Sequence, residues 1–467
     1  MRRSAELSNS IPLLALLLLC PLCSGNPSES DGAKFVFILA RHGERLPCHY
    51  FPFPGLPPEF VGRKCELTLN GRLQHFLLGQ FIRKRYPLLL SSQLIQDEVL
   101  IRSSATDRTL MSANYFSYGL YQHSEGQLPI MPPIFSSPKK YDSLLKVSSP
   151  CPAFKRLVTD ALNADSAVDF ARRELPLYNT LQKISDLKFV PEQPHLHLTA
   201  VWELCDVLYV WSYLKPNTVP DWLDASVVSG CSRALSFKQQ LRFSSPSLTR
   251  LRGGPLVAHV LDMLRRRSAI LDHRNTPPPT GSTDNTFSFV NSALDGTDPL
   301  DVPKEKGSRL VAYFAHDSTL AAFLSHLSIF NNFLPPFAAA VILELYYDQT
   351  GDPQVRFLYR NDTVNGTSEP IQLWPAACGE ATNVSGFCRL ATLEAAFKNT
   401  ASSDLDVDCL LPESLPKLAA PALSPAHCTI SAFFLTCVLM GTRKNTYLIV
   451  SPLVVFLSCP FEFNMQF

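Results

Sequence analysis

Three segments of this chain repeat one layout: a short apolar run, a basic residue, then the start of a helix. They read FILA-RHGER from Phe37, VLIR-SSATDRT from Val99 and AYFA-HDSTL from Ala312. Apolar runs of this length, rich in β-formers and followed by helical periodicity, read as buried strands feeding helices. That alternation constrains the fold more than any other feature, because it calls for a sheet with helices packed on its faces, an α/β sandwich. In open α/β sheets, ligands bind in the crevice beyond the carboxyl ends of the strands. With the three strands as neighbours, Arg41, His42, Arg45, Arg108, His316 and Asp317 converge on one crevice.

The remaining segments fit around these anchors. Lys34–Ala40 reads as a buried strand, and LNGRLQHFLLGQFIRKRY as an amphipathic helix that stops before Pro87. Asp97–Leu120 opens as a strand, turns through Ser103–Thr106 and continues as a helix capped by Thr106 or Asp107. From 131 to 249 no strand–helix alternation is evident; helical stretches such as SAVDFARREL and TAVWELCDVLYVW mix with Pro-rich loops, which reads as a mainly helical insertion. A helix (GGPLVAHVLDMLRRRSA), a polar loop from Asn275 to Lys306, the third strand–helix unit and a hairpin (AAAVILELYYD, PQVRFLYRND) follow. The expected division is a first α/β part at 34–130, a helical cap at 131–249, a second α/β part at 250–412, and a linker with a hydrophobic tail at 413–467.

Residues 1–25 read as a secretory signal: Arg2 and Arg3, an apolar core from Ile11 to Leu19, then small residues up to Gly25. Of 13 cysteines, Cys20 and Cys23 leave with that signal. The other eleven enter an oxidising compartment, where disulfides are expected with at least one thiol left over. Three sequons, at Asn361, Asn365 and Asn383, fit glycosylated loops. In the tail, the apolar runs Thr429–Met440 and Tyr447–Phe461 are split by Arg443 and Lys444. Neither reaches the roughly 20 residues of a span, and a single-pass anchor and a soluble tail both remain open. With 42 basic and 41 acidic residues, no bulk charge points to nucleic acid.

The crevice has a definite chemistry. An arginine fork pairs bidentately with phosphate oxygens, and helix N-termini add backbone N–H groups and partial positive charge. Three guanidiniums and an imidazole suit a compact dianion and the charge that develops during phosphoryl transfer. His42, beside two arginines, is favoured in its neutral, nucleophilic form. Asp317 is the remaining acid, placed to protonate a leaving alkoxide, which implies acid pH.

RHGERLP resembles the Arg-His-Gly-x-Arg-x-Pro signature of the histidine acid phosphatases, and AHDST resembles their His-Asp motif. FIRKRY, LIRSSATDRTLMSA, LPPFAAAVILELYY and VRFLYRND are similar to segments of the animal lysosomal and prostatic members, and the likeness runs from about Lys34 to Cys409. The resemblance implies a phosphoglycerate-mutase-like α/β sandwich domain with an inserted mainly helical cap. It implies phosphorylation of His42, proton donation by Asp317, phosphoryl binding by Arg41, Arg45, Arg108 and His316, and no metal or organic cofactor. The substrate would be a phosphomonoester, in a secreted or lysosomal setting.

The resemblance further implies the pairs Cys151–Cys409 and Cys378–Cys388. A third family disulfide would join positions near Val210 and Ala340, neither of them cysteine, while Cys48, Cys65, Cys205 and Cys231 stay unassigned. Glu44 replaces the aspartate common in the animal enzymes, a change expected to bear on substrate preference. The alternative function is a catalytically inactive secreted binding protein on the same fold. A specialist for highly phosphorylated inositols would resemble a His-Ala-Glu variant, and this chain has His-Asp. His195 and His197 could face a metal from one strand but lack further ligands. His259 reads as an ordinary helix residue, and Arg83–Arg85 and Arg265–Arg267 as solvated helix faces. Dimerisation and the physiological substrate are left open.

Overall fold

The computed structural model describes residues 32–121, 131–272 (apart from 191), 308–361, 369–379, 386–410 (apart from 403), 439–442 and 445–448. The signal segment, the Asn275–Lys306 loop, most of the three sequons and most of the tail lie outside the described residues.

One sheet organises the chain up to residue 412. Its strands run in the order β3 (Ile134–Ser137), β2 (Val99–Ser104), β4 (Leu310–Ala315), β1 (Phe35–Arg41), β5 (Ala340–Tyr347), β6 (Pro353–Arg360) and β7 (Ile371–Leu373), with β8 (Cys388–Arg389) also on β6. The first four are parallel, and β5, β6 and β7 pair antiparallel in succession. The three strands of the repeated layout, β1, β2 and β4, are therefore neighbours, as the crevice argument requires. β3 falls inside the stretch read as helical; it is only four residues long, and its period is too short to stand out.

Every residue of β1 is buried, because both faces of the sheet are covered. Phe35, Phe37 and Leu39 face α9 (Gly254–Asp272) and the helix Asp317–His326 through Val260, Leu264, Leu320 and Phe323. The alternate residues Val36, Ile38 and Ala40 face α1 (Leu69–Arg85) and α2 (Asp107–Leu120) through Leu78, Ile82, Ala113 and Phe116. This period-two division buries apolar side chains at about 1.5–3 kcal/mol each.

Between β3 and α9 the chain is helical: α3 (Pro152–Leu162), α4 (Asp165–Arg173), α5 (Leu175–Ile184), α6 (Leu198–Leu214), α7 (Ala225–Arg242) and α8 (Pro246–Arg252). Helices α4–α7 share a core of their own, with Phe170, Leu181, Leu204, Trp211 and Leu235, which the loop after β1 joins through Leu46, Phe53 and Phe60. His195 and His197 lie in a 3-10 turn rather than a strand, where His197 Nε2 accepts the Val190 N–H at 3.0 Å. Disulfides join Cys48–Cys65, Cys151–Cys409, Cys205–Cys231 and Cys378–Cys388. The four cysteines left unassigned by sequence thus pair with one another.

Two basic runs depart from the expected solvated faces. Arg83 donates to the carbonyls of Leu120 and Ser91 at 2.9 and 3.0 Å, and Arg85 pairs with the buried Glu344 at 3.1 Å. Arg267 is buried, whereas Arg265 and Arg266 do reach solvent and pair with Asp262. Charge runs look alike in sequence whether the helix face beneath them is wet or packed. His259 is buried with its Nε2 2.8 Å from the Tyr313 hydroxyl.

Residues 413–467 form a separate unit, in which Leu439–Thr442 pairs antiparallel with Asn445–Leu448. No helix among the described residues is long and apolar enough to cross a membrane.

Candidate active site

Parallel register sets the site. Arg41 stands opposite Ala315 in the β1–β4 pair, so the two strands end together and release His42 and His316 side by side. The His42 N–H closes the ladder on the Ala315 carbonyl at 3.0 Å. After β2, the chain turns and α2 begins at Asp107, which presents Arg108 in its first turn. All six residues expected at the crevice line one cavity of about 190 Å³.

Gly43 allows the loop to pass where it does. A Cβ there would lie 2.2 Å from the Gly71 carbonyl oxygen, and one on Gly71 would lie 2.1 Å from the Glu44 oxygen. The RHGE backbone therefore rests directly on the first turn of α1. Glu44 turns away from the crevice, accepting from the Thr68 hydroxyl at 2.6 Å and the Asn70 amide at 2.7 Å. Its carboxylate holds the N-terminal turn of α1, so the expected bearing of this residue on substrate preference has no contact behind it.

The His42 ring has a forced tautomer. Its Nδ1 lies 2.8 Å from the Gly43 carbonyl, which can only accept, so Nδ1 carries the proton and Nε2 keeps its lone pair. Burial first, then the fields of Arg108, Arg41, His316 and Arg45, hold its pKa well below the usual histidine range. Burial and Arg108 depress His316 in the same way. Arg108 donates to His316 Nδ1 at 3.3 Å, leaving the Nε2–H for Ser104 Oγ at 3.0 Å. The two imidazoles meet edge to face, with centroids 5.7 Å apart.

The arginines differ in their partners. Arg41 pairs with Asp317 at 3.1 Å, donates to the Pro335 carbonyl and stacks 4.3 Å above the Phe337 ring. Phe337 is held there by a turn in which Ala338 adopts φ 55° and donates its N–H to the His42 carbonyl. Arg45 makes a forked pair with Asp206 of α6, at 2.6 and 3.3 Å, and Asp206 also accepts the Cys48 N–H. Arg108 has no carboxylate partner among the described residues; burial and Arg45 push its pKa down to about 10. Burial alone would raise Asp317, but Arg41, Arg45 and Lys238 outweigh it and keep the carboxyl ionised far into acid. Arg102, the basic residue that ends the VLIR run, points elsewhere, to Asp142 at 3.1 Å.

The match of residues 33–360 to the model of the "histidine phosphatase superfamily (branch 2)" decides the family. The chain belongs to it. Among the curated members of that superfamily it resembles, mouse prostatic acid phosphatase is 29% identical over 83% of this chain and 92% of its own length. The lysosomal acid phosphatase of Xenopus laevis is 27% identical over 85% and 83%. Among solved structures, the Hafnia alvei phytase superposes with a TM-score of 0.58 at 15% identity, over 82% of this chain and 99% of its own. The Citrobacter braakii phytase gives 0.57 at 16%, over 81% and 100%. At that identity the phytases speak for the fold alone.

Asp206, Phe337 and the α7 cations Lys238 and Arg242 also border this histidine phosphatase crevice, and none stood out in the sequence. Asp206 had a signal: it is the one charged residue in the apolar run LCDVLYVW.

Proposed function

We propose that this protein is an acid phosphatase that hydrolyses phosphomonoesters through a phosphohistidine at His42. The observation that carries this reading is a buried, neutral His42 whose free Nε2 faces a cavity with more guanidiniums than carboxylates. The phosphoryl oxygens take N–H donors from Arg41, Arg45 and Arg108; His316 joins them once the phosphoryl group draws Arg108 off its Nδ1 and the added negative charge lets that nitrogen take a proton. Nε2 attacks phosphorus in line, the P–O bond to the leaving group breaks, and Asp317 hands that oxygen a proton. The Asp317 carboxylate then takes a proton from water, whose oxygen attacks phosphorus as the N–P bond breaks.

In the ligand-free site Asp317 is a carboxylate paired with Arg41. A bound phosphoryl group competes for that guanidinium and adds negative charge, and both effects raise the Asp317 pKa towards protonation. At acid pH the ester arrives as a monoanion and can supply the proton. Burial keeps His42 neutral over the same range, so acid activity needs no protonated nucleophile.

The helices α3–α8 act in this proposal as a cap that closes the leaving-group side. Four disulfides among the described residues suit an exported chain, in a secreted or lysosomal setting like that of the named relatives. The test is p-nitrophenyl phosphate hydrolysis across acid to mildly alkaline pH, with and without EDTA. Activity that peaks in acid and survives EDTA is expected. A folded protein without turnover would contradict the reading and favour a binding role.

A further inference from the structure

One phosphate does not use every cation in the crevice. Arg41 and Arg45 have resting carboxylate partners and Arg108 waits for a phosphoryl oxygen, yet Lys238 and Arg242 also line the wall. They stand one turn apart on α7, both half-buried, and neither has a carboxylate partner among the described residues. Their close contacts are aromatic: Lys238 Nζ lies 5.6 Å from the Trp202 ring centroid, and the Arg242 guanidinium 5.9 Å from that of Phe154. Like charges at this spacing destabilise a helix, and burying them makes the cost larger. Such a pair is retained most economically where a third, opposite charge arrives.

Both residues line the same cavity as Asp317. Burial and Arg242 depress the Lys238 ammonium, and the Asp317, Asp206 and Glu203 carboxylates oppose that shift without cancelling it; burial also depresses Arg242, against Asp317. Arg41 ends β1, and Arg45 and Arg108 come from the segments that follow β1 and β2, whereas Lys238 and Arg242 come from α7 of the cap, which the proposed mechanism puts on the leaving-group side. Arg242 also borders a second cavity of about 600 Å³, walled by Val147, Phe154 and Arg252.

We propose that Lys238 and Arg242 form a second anion subsite, which selects phosphomonoesters whose leaving alcohol carries its own phosphate or carboxylate group. The direction of the subsite rests on the proposed function; its existence as an anion site does not. Selection of this kind is a difference in affinity between two related ligands, so paired probes read it directly.

The test uses titration calorimetry on the full chain carrying His42→Ala, which removes turnover, with glycerol 1,3-bisphosphate against glycerol 1-phosphate. The bisphosphate should bind at least tenfold tighter. Adding Lys238→Gln or Arg242→Gln should cut that preference at least fivefold, and the two together should abolish it, while Arg242→Lys keeps most of it. With active enzyme, kcat/KM for 4-carboxyphenyl phosphate should exceed that for phenyl phosphate by a factor that the same Gln substitutions remove. A gain for the bisphosphate alone would support the subsite and confine it to phosphate. In p-nitrophenyl phosphate hydrolysis the Gln variants should stay within threefold of the parent.

Equal affinity for the two glycerol esters, or a preference that survives the double substitution, would overturn the subsite and leave the phosphatase reading standing. A chain that binds neither ester would overturn both.

Discussion

Two buried charge clusters lie at opposite ends of the β1–β5 pair, and they follow opposite rules. At the Phe35 end, Glu344 is fully buried and accepts from Arg85 at 3.1 Å, Tyr86 at 2.5 Å and Arg356 at 2.5 Å. Arg85 also pairs with Glu369 at 3.0 Å, so two cations meet two carboxylates. Burial alone would lower the Arg356 pKa, but Glu344 outweighs it and raises it, as expected of a satisfied partner. At the Arg41 end, the carboxylates lining the crevice with Arg41, Arg45 and Arg108 are, among the described residues, Asp317 and Asp206, with Lys238 and Arg242 on the wall. There burial prevails, and the pKa values of Arg41, Arg108 and Lys238 all fall. A balanced cluster holds the fold; an unbalanced one stores binding free energy for an anion.

The comparison can be broken most sharply at the nucleophile. His42→Ala should lower kcat by at least about 10³-fold, in the range seen when a covalent nucleophile is removed, with the melting temperature nearly unchanged; residual turnover near that of the parent would refute the role. Next come the two clusters themselves. Arg108→Met should cost about 10²–10³-fold in kcat/KM, as for loss of a donor to a developing oxyanion. It should not lower stability in ligand-free urea titrations, because it removes a cation that lacks a carboxylate. Arg356→Met should do the reverse, destabilising by about 3–5 kcal/mol because Glu344 loses a buried partner, while kcat of the folded fraction stays at the parental value. If both substitutions act mainly on stability, the contrast between the clusters is wrong.

Asp317→Asn should slow alkyl phosphates by about 10²-fold or more and p-nitrophenyl phosphate much less, since nitrophenolate leaves without help. Equal losses for the two substrates would count against Asp317 as the acid.

The smallest expected effect concerns acid tolerance. Burial lowers the pKa of His326 from its ordinary 6.5 to about 4. The folded state therefore takes up that proton later than the unfolded state does. Its stability contribution is full above pH 6.5 and is lost as the pH falls from 6.5 towards 4, at about 1 kcal/mol per pH unit near pH 5. Replacing His326 by Gln, which can keep the bond to Thr400, should flatten the pH dependence of urea midpoints by that amount. His75 and His259, each lowered by burial to about 3, leave most of the slope in place. A variant whose slope matches the parent would show that His326 titrates normally.

Much of this architecture was legible beforehand because it is local. The strand–helix layout marked β1, β2 and β4, and their shared carboxyl ends brought Arg41, His42, Arg45, Arg108, His316 and Asp317 together. What escaped is what depends on packing between distant segments. Arg45 meets Asp206 across 161 residues, and Arg41 stacks on Phe337 from far down the chain. β3 was too short to register as a strand, and Arg83–Arg85 looked like any solvated run until Glu344 and the carbonyls of α2 and its neighbours lay beneath it. The pairing of Cys205 with Cys231 became visible only once α6 and α7 lay side by side.

The central claim is that an unbalanced cationic crevice delivers phosphorus to His42 Nε2. It is tested most directly by mixing enzyme with a ³²P-labelled phosphomonoester, quenching in alkali within the first turnover and mapping the labelled peptide by mass spectrometry. The account predicts stoichiometric label, stable to alkali and lost in acid, on His42, with none in His42→Ala and little in Arg108→Met. Label on another residue, or a full burst of product with no phosphoenzyme, would contradict it.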